Sequence, residues 1–135
     1  TYRDHPVARH PRVKALPFVD RMDLAYVAAD VVVSRAGALS VSELMLAGKA
    51  VLFVPSPNVA ADHQTKNAEA LVRQKAARMI ADAEAADLLL PKSLELLEDE
   101  EERKRLEKNI RQLAKPHAAE QIAREVLNLA KALKK

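Results

Sequence analysis

Two short runs, Val31-Val32-Val33 and Ala50-Val51-Leu52-Phe53-Val54, are apolar at every position. Neither is long enough for a stable helix. A strand with one wet face would alternate apolar and polar residues, whereas uniform apolarity suits a strand covered on both sides. Between the runs lies a helix-length segment, Ser40 to Ala47, stopped by Gly48, and the second run ends at Pro55 and Pro57. Glycine is the common helix terminator, and proline lacks the N–H that a central strand must donate. Strand, helix and strand at this spacing predict an α/β fold with a parallel sheet and crossover helices.

The flanking sequence extends the same order. Val13 to Phe18 reads as a short strand closed by Pro17, with Asp20 capping a helix through Met22, Ala25, Tyr26 and Ala29. Asp62 is placed to cap a helix through Ala68, Leu71 and Val72, and Arg78 to Ala81 reads as a further short strand. From 82 onward the chain is expected to be helical. Leu88, Leu94 and Leu97, then Leu106, Ile110 and Leu113, then Ile122, Val126, Leu129 and Leu133 recur at three- and four-residue steps and read as core-facing seams. Pro91 and Pro116 interrupt these seams before a coiled coil can accumulate heptads. No internal repeat or linker is visible, so residues 1–135 are expected to form a single domain, with strand and helix alternating over 13–81 and helices over 82–135.

Composition removes several classes of function. The 135 residues include two Tyr, two Phe and no Trp, too few for a base-stacking surface, and no groove-reading motif is present; nucleic-acid binding is not expected. Cysteine is absent, which excludes disulfides and thiolate metal sites and fits a reducing, cytoplasmic setting. His5, His10 and His117 lack metal-ligand spacing, no paired aspartates suggest magnesium, and no cofactor is expected. The longest apolar run is far too short to cross a bilayer, and the first residues carry no signal-peptide core. The net charge of +3 is spread along the chain and decides little.

Gly37 and Gly48 are the chain's only glycines. Gly37 follows the first apolar run directly, which puts it at the carboxyl edge of the sheet, where open α/β folds bind ligands and the next helix points its amino terminus. There it can adopt positive φ and let a ligand approach the backbone, while the free N–H groups of Ala38, Leu39 and Ser40 receive an anion such as a diphosphate. Glu43, one turn beyond Ser40, can accept hydrogen bonds from a neighbouring diol. Spacing alone favours a blander reading, a capping box in which Ser40 caps the helix and Glu43 bonds back to it. Arg35 can contact a phosphate or pair with a local carboxylate. Phe18 can line a pocket or belong to the core.

The segments "SRAGALSVSE", "VPSPN" and "DHQTKNA", in this order and spacing after "PFVDRM", closely resemble the carboxy-terminal, donor-binding domain of the MurG glycosyltransferases. That family moves N-acetylglucosamine from UDP-N-acetylglucosamine to lipid I, making lipid II for peptidoglycan. The resemblance covers most of the chain and implies a Rossmann-like parallel sheet with flanking helices, part of the carboxy-terminal domain of a GT-B enzyme. It implies that Phe18 and Val19 line the uracil pocket, that Ala38, Leu39 and Ser40 hold the diphosphate and neighbouring ribose, that Glu43 binds the ribose hydroxyls, and that Gln64 and Asn67 contact the sugar; Arg35 and Gly37 join them as substrate-binding candidates from their place at the sheet edge. The expected chemistry is direct attack of the acceptor hydroxyl on the anomeric carbon, with the helix end stabilising the departing UDP. Lipid I would be held by an amino-terminal domain that this chain does not contain, so no catalytic residue is assigned and the chain alone is expected to be inactive.

In the family's strand order the first strands of the donor domain fall between the Val13 and Val31 strands. Without them, the sheet either closes directly or is completed by a partner, a second copy included. The full-length family is peripheral on the inner face of the plasma membrane. The competing expectation is a non-catalytic α/β scaffold or binding module that keeps the family fold.

Overall fold

The computed structural model describes residues 2–57 and 63–114, together with 124, 127, 128 and 130–132. The elements run α1 (Met22–Ala28), β1 (Val31–Ser34), α2 (Ala38–Ala47), β2 (Ala50–Phe53), α3 (His63–Arg73), β3 (Arg78–Met79), α4 (Ala85–Glu98) and α5 (Glu100–Leu113), with 3-10 turns at Tyr2–Asp4, Pro6–Arg9 and Asp82–Glu84. The three strands form one parallel sheet in the order β1-β2-β3, with Val31 opposite Ala50 and Leu52 opposite Arg78. The α/β expectation is met.

β2 is buried at all four positions because both its faces are covered. Val51 and Phe53 point into a cluster with Val41, Leu44 and Met45 of α2, Ala68 and Leu71 of α3, and Ile110 of α5. Their neighbours alternate to the other face, as strand geometry demands. Ala50 meets Leu96 and Leu106, while Leu52 and Val54 meet Ile80 with Leu88 and Leu89 at the margin. α5 therefore supplies Leu106 to one face and Ile110 to the other.

α2 ends as the sequence requires. Gly48 adopts φ 66°, ψ 36°, the left-handed conformation that spares only a residue without Cβ, and its N–H returns to Leu44 O at 3.1 Å.

Several expectations are corrected. Val13 to Phe18 forms no strand: a strand persists only beside a partner that completes its ladder, and β1 is paired to β2 alone among the described residues. Val13, Leu16 and Phe18 are accordingly exposed. Asp20 does not cap α1; the cap position is Arg21, whose guanidinium instead grips Asp23 at 2.7 and 3.0 Å. β1 is not covered on both faces, for Val33 at the sheet's edge remains 44% exposed. The third strand is shorter than expected, Arg78–Met79.

α4 runs through Pro91 rather than stopping at it. Its phase also differs from expectation: Leu94 and Leu97 are exposed, and Leu96 is the residue fully buried. Ala85, Leu88, Leu89 and Leu96 share the face turned to the sheet, which fixes the rotation of the helix. Leu106, Ile110 and Leu113 of α5 face the core as expected. The caps and seams expected at Asp62, Pro116, Ile122, Val126, Leu129 and Leu133 lie outside the described residues.

Candidate functional site at the carboxyl edge of the sheet

All three strands end at one edge, and the segments that leave them are tied together there. Val54 N donates to Ser34 O at 2.9 Å and Ile80 N to Phe53 O at 3.0 Å, extending the ladder past the last strand residues. Arg35, on leaving β1, donates to Val54 O at 3.2 Å and forms an ion pair with Asp82 beyond β3. Of the two readings of Arg35, the carboxylate pairing is the one observed.

Gln64, in the first turn of α3, is the central tie. Its Oε1 accepts from Ala36 N at 3.2 Å and from Ser56 N at 2.9 Å, joining the segments that follow β1 and β2. Asn67, one turn later, donates from Nδ2 to Ala36 O at 3.0 Å. Both polar groups of Ala36, a fully buried residue, are thereby satisfied. The amide orientation follows from the bonds themselves: two N–H groups converge on one atom of Gln64, so that atom is the oxygen and the nitrogen is the free end. Nε2 lies beside Gly37.

Gly37 is the residue before α2, with φ −63° and ψ 150°. This corrects the expectation of positive φ, since any residue adopts that backbone. Packing does not demand glycine either: a Cβ would meet nothing closer than Gln64 Nε2 at 3.9 Å, an ordinary contact. α2 begins at Ala38, two residues before the expected start, because Gly37 C=O already accepts from Val41 N at 2.9 Å. The N–H groups of Ala38, Leu39 and Ser40 fall in the first turn, where no intrahelical acceptor exists. Ala38 and Leu39 are exposed.

The capping box is overturned by this start. Ser40 is inside the helix and cannot cap it, and Glu43 accepts a hydrogen bond from the Tyr26 hydroxyl, Oη to Oε2 3.2 Å, across from α1. Burial, and the adjoining Glu43 carboxylate, push the Tyr26 phenol above its usual range, so it remains a donor through neutral pH. Sequence reasoning did not single out Tyr26 for the site; the available signal was a polar-tipped aromatic on the helix preceding β1 in a chain with only two tyrosines.

Phe18 is 75% exposed, which removes the core alternative for it, and Val19 is partly buried. No hydrogen bond ties either to α2 among the described residues. Arg35, Gly37, Ala38, Leu39, Ser40, Gln64 and Asn67 are thus gathered at one edge, Glu43 lies one turn along α2, and Phe18 and Val19 stand on the chain leading into α1.

A Rossmann-like α/β domain with open helix-end donors and amide side chains at its carboxyl edge is the class that fold and site define. Residues 3–125 match the model of the glycosyltransferase family 28 C-terminal domain, and the chain belongs to that family. It is 53% identical over 125 residues to a Porphyromonas gingivalis protein named UDP-N-acetylglucosamine--N-acetylmuramyl-(pentapeptide) pyrophosphoryl-undecaprenol N-acetylglucosamine transferase, covering 91% of this chain and 33% of that protein. A Flavobacterium psychrophilum protein of the same name is 46% identical over 129 residues, covering 96% of this chain and 35% of its own length. The crystal structure of Acinetobacter baumannii MurG superposes with a TM-score of 0.70 at 33% identity, over 86% of this chain and 33% of that one. The resemblance drawn from the motifs is borne out. The chain spans about a third of the length of these relatives. Among the described residues no helix is long and apolar enough to cross a membrane.

Proposed function

We propose that residues 1–135 are a single, incomplete domain that binds the donor UDP-N-acetylglucosamine for transfer of N-acetylglucosamine to a lipid-linked acceptor, lipid I, at the cytoplasmic face of the membrane. The observation that carries this reading is Gly37. Neither its backbone angles nor its packing calls for glycine, and beyond the modest preference of a helix cap for it, the missing side chain leaves room for a ligand against the start of α2. A diphosphate there would receive the first-turn N–H groups and the positive end of the helix. Gln64 would add Nε2 as a donor, Glu43 would accept from the ribose, and Phe18 with Val19 would flank the uracil. Family membership and the names of the relatives support the same assignment.

In this reading the acceptor and the base for its hydroxyl belong to the other two thirds of the relatives' length, so the chain alone binds donor without transferring sugar. The unpaired edge of β1, with Val33 exposed, would be completed by further strands or by a second copy.

Calorimetric titration with UDP-N-acetylglucosamine, UDP and ADP tests the assignment. Both uridine ligands should bind and ADP should bind more weakly; equal affinity for UDP and ADP would remove the uracil contacts. Glu43→Ala should cost about 1–3 kcal/mol of UDP affinity if a charge-assisted bond to ribose is lost.

Gly37→Ala separates the ligand role of glycine from a folding role. Loss of unfolded-state freedom favours alanine while the helix-cap position favours glycine, so stability should stay within about 0.5 kcal/mol. UDP affinity should fall about tenfold or more, because a methyl group then stands where the phosphate approaches the backbone. An alanine variant that binds UDP like the parent would refute the close approach.

A further inference from the structure

Resting on the reading of Glu43 as the ribose-binding carboxylate, we propose that Tyr26 is a positioning residue that holds that carboxylate in the orientation that receives the ribose hydroxyls. The two side chains come from different helices, 17 residues apart, and meet through Tyr26 Oη donating to Glu43 Oε2 at 3.2 Å. A glutamate on an exposed helix face has three side-chain torsions to order before it can accept from a diol, and each freely rotating torsion weakens the contact. A donor fixed by the fold removes part of that loss.

Tyr26 is such a donor. Its ring packs against the buried cluster containing Val41, Leu44 and Met45, while its neighbour Val27 is 75% exposed. Tyr26 and Glu43 both line a cleft of about 480 Å³ between α1 and α2, whose apolar walls come from Met22, Val27, Leu46 and Ala47. Those walls offer Glu43 no competing donor. The two other charged groups of the cleft are also disengaged from it: Asp23 is held by Arg21 at 2.7 Å, and Lys49 makes no ion pair with Glu43 among the described residues. Tyr26 therefore occupies one acceptor direction on Oε2 and leaves Oε1 and the other Oε2 lone pair for the two hydroxyls of a diol.

The test compares the affinity for UDP with that for 2′,3′-dideoxyuridine diphosphate in the parent chain, Tyr26→Phe, Glu43→Ala and the double variant. Phenylalanine keeps the ring and its packing and removes only the hydroxyl. Both ligands meet the same folded fraction, so the ratio of the two affinities does not register a change in stability. The parent should prefer UDP, Tyr26→Phe should lower that preference by about three- to tenfold, and Tyr26→Phe should change nothing further once Glu43 is alanine.

An unchanged ratio in Tyr26→Phe beside a lost preference in Glu43→Ala would overturn the positioning role while leaving Glu43 as the ribose ligand. An equal loss from Tyr26→Phe with and without Glu43 would overturn it too, because Tyr26 would then act independently. A preference that survives Glu43→Ala would overturn the ribose reading itself, and the positioning role with it.

Discussion

Gly48→Ala should lose about 2–4 kcal/mol of folding stability in a denaturant titration, from two separable causes. The first is the backbone: at φ 66° a Cβ crowds the following carbonyl, worth about 1–2 kcal/mol. The second is packing. An added Cβ would lie 2.7 Å from both Cγ and Nε of Arg111 and 3.2 Å from its Cδ, so the middle of that side chain, not only its tip, must move. Arg111 belongs to α5, which covers the cluster through Ile110, and its displacement loosens the contact of α5 with the end of α2. Combining Gly48→Ala with Arg111→Ala removes the clash and leaves the backbone cost, so the double variant should recover roughly half of the loss. A Gly48→Ala chain as stable as the parent would show that the turn has another conformation open to it.

Gln64 should separate folding from binding when replaced in two ways. Gln64→Leu leaves the N–H groups of Ala36 and Ser56 without an acceptor in a partly buried setting and should cost about 2–4 kcal/mol of stability. Gln64→Glu keeps an oxygen for both N–H groups and should fold with stability close to the parent's. It also puts a carboxylate oxygen where Nε2 stood, beside Gly37, and so sets a negative charge against the proposed diphosphate. UDP-N-acetylglucosamine affinity of Gln64→Glu should fall by about thirtyfold or more, roughly 2 kcal/mol, as a donor is exchanged for a repelling charge. A glutamate variant that folds and still binds the nucleotide sugar normally would place the phosphate elsewhere. The glutamate and leucine variants thus report on different ends of one amide.

The sequence by itself determined the elements whose signals are local. The apolar runs at 31 and 50 are strands, and Gly48 ends α2 because a left-handed residue can be read from one letter. The motifs at 34–43 and 62–68 were legible as family resemblance, since residue order and spacing can be matched within the chain, but spacing alone left the roles of Ser40 and Glu43 open and put the start of α2 two residues late. The sequence could not decide whether Val13 to Phe18 is a strand, because pairing is a property of a neighbour distant in the chain, and the described residues offer it none. Nor could it choose between Leu94, Leu96 and Leu97, all apolar on one helix, since only the docking of α4 on the sheet fixes which faces inward. Glu43 gives the sharpest case. Its spacing from Ser40 fits a capping box as well as a ligand site, and local energies favour the cap. The fold starts α2 at Ala38 and brings Tyr26 of another helix to the carboxylate. Local backbone preferences can be read along the chain; a side chain's partner depends on packing between elements, and that was decided only in the tertiary structure.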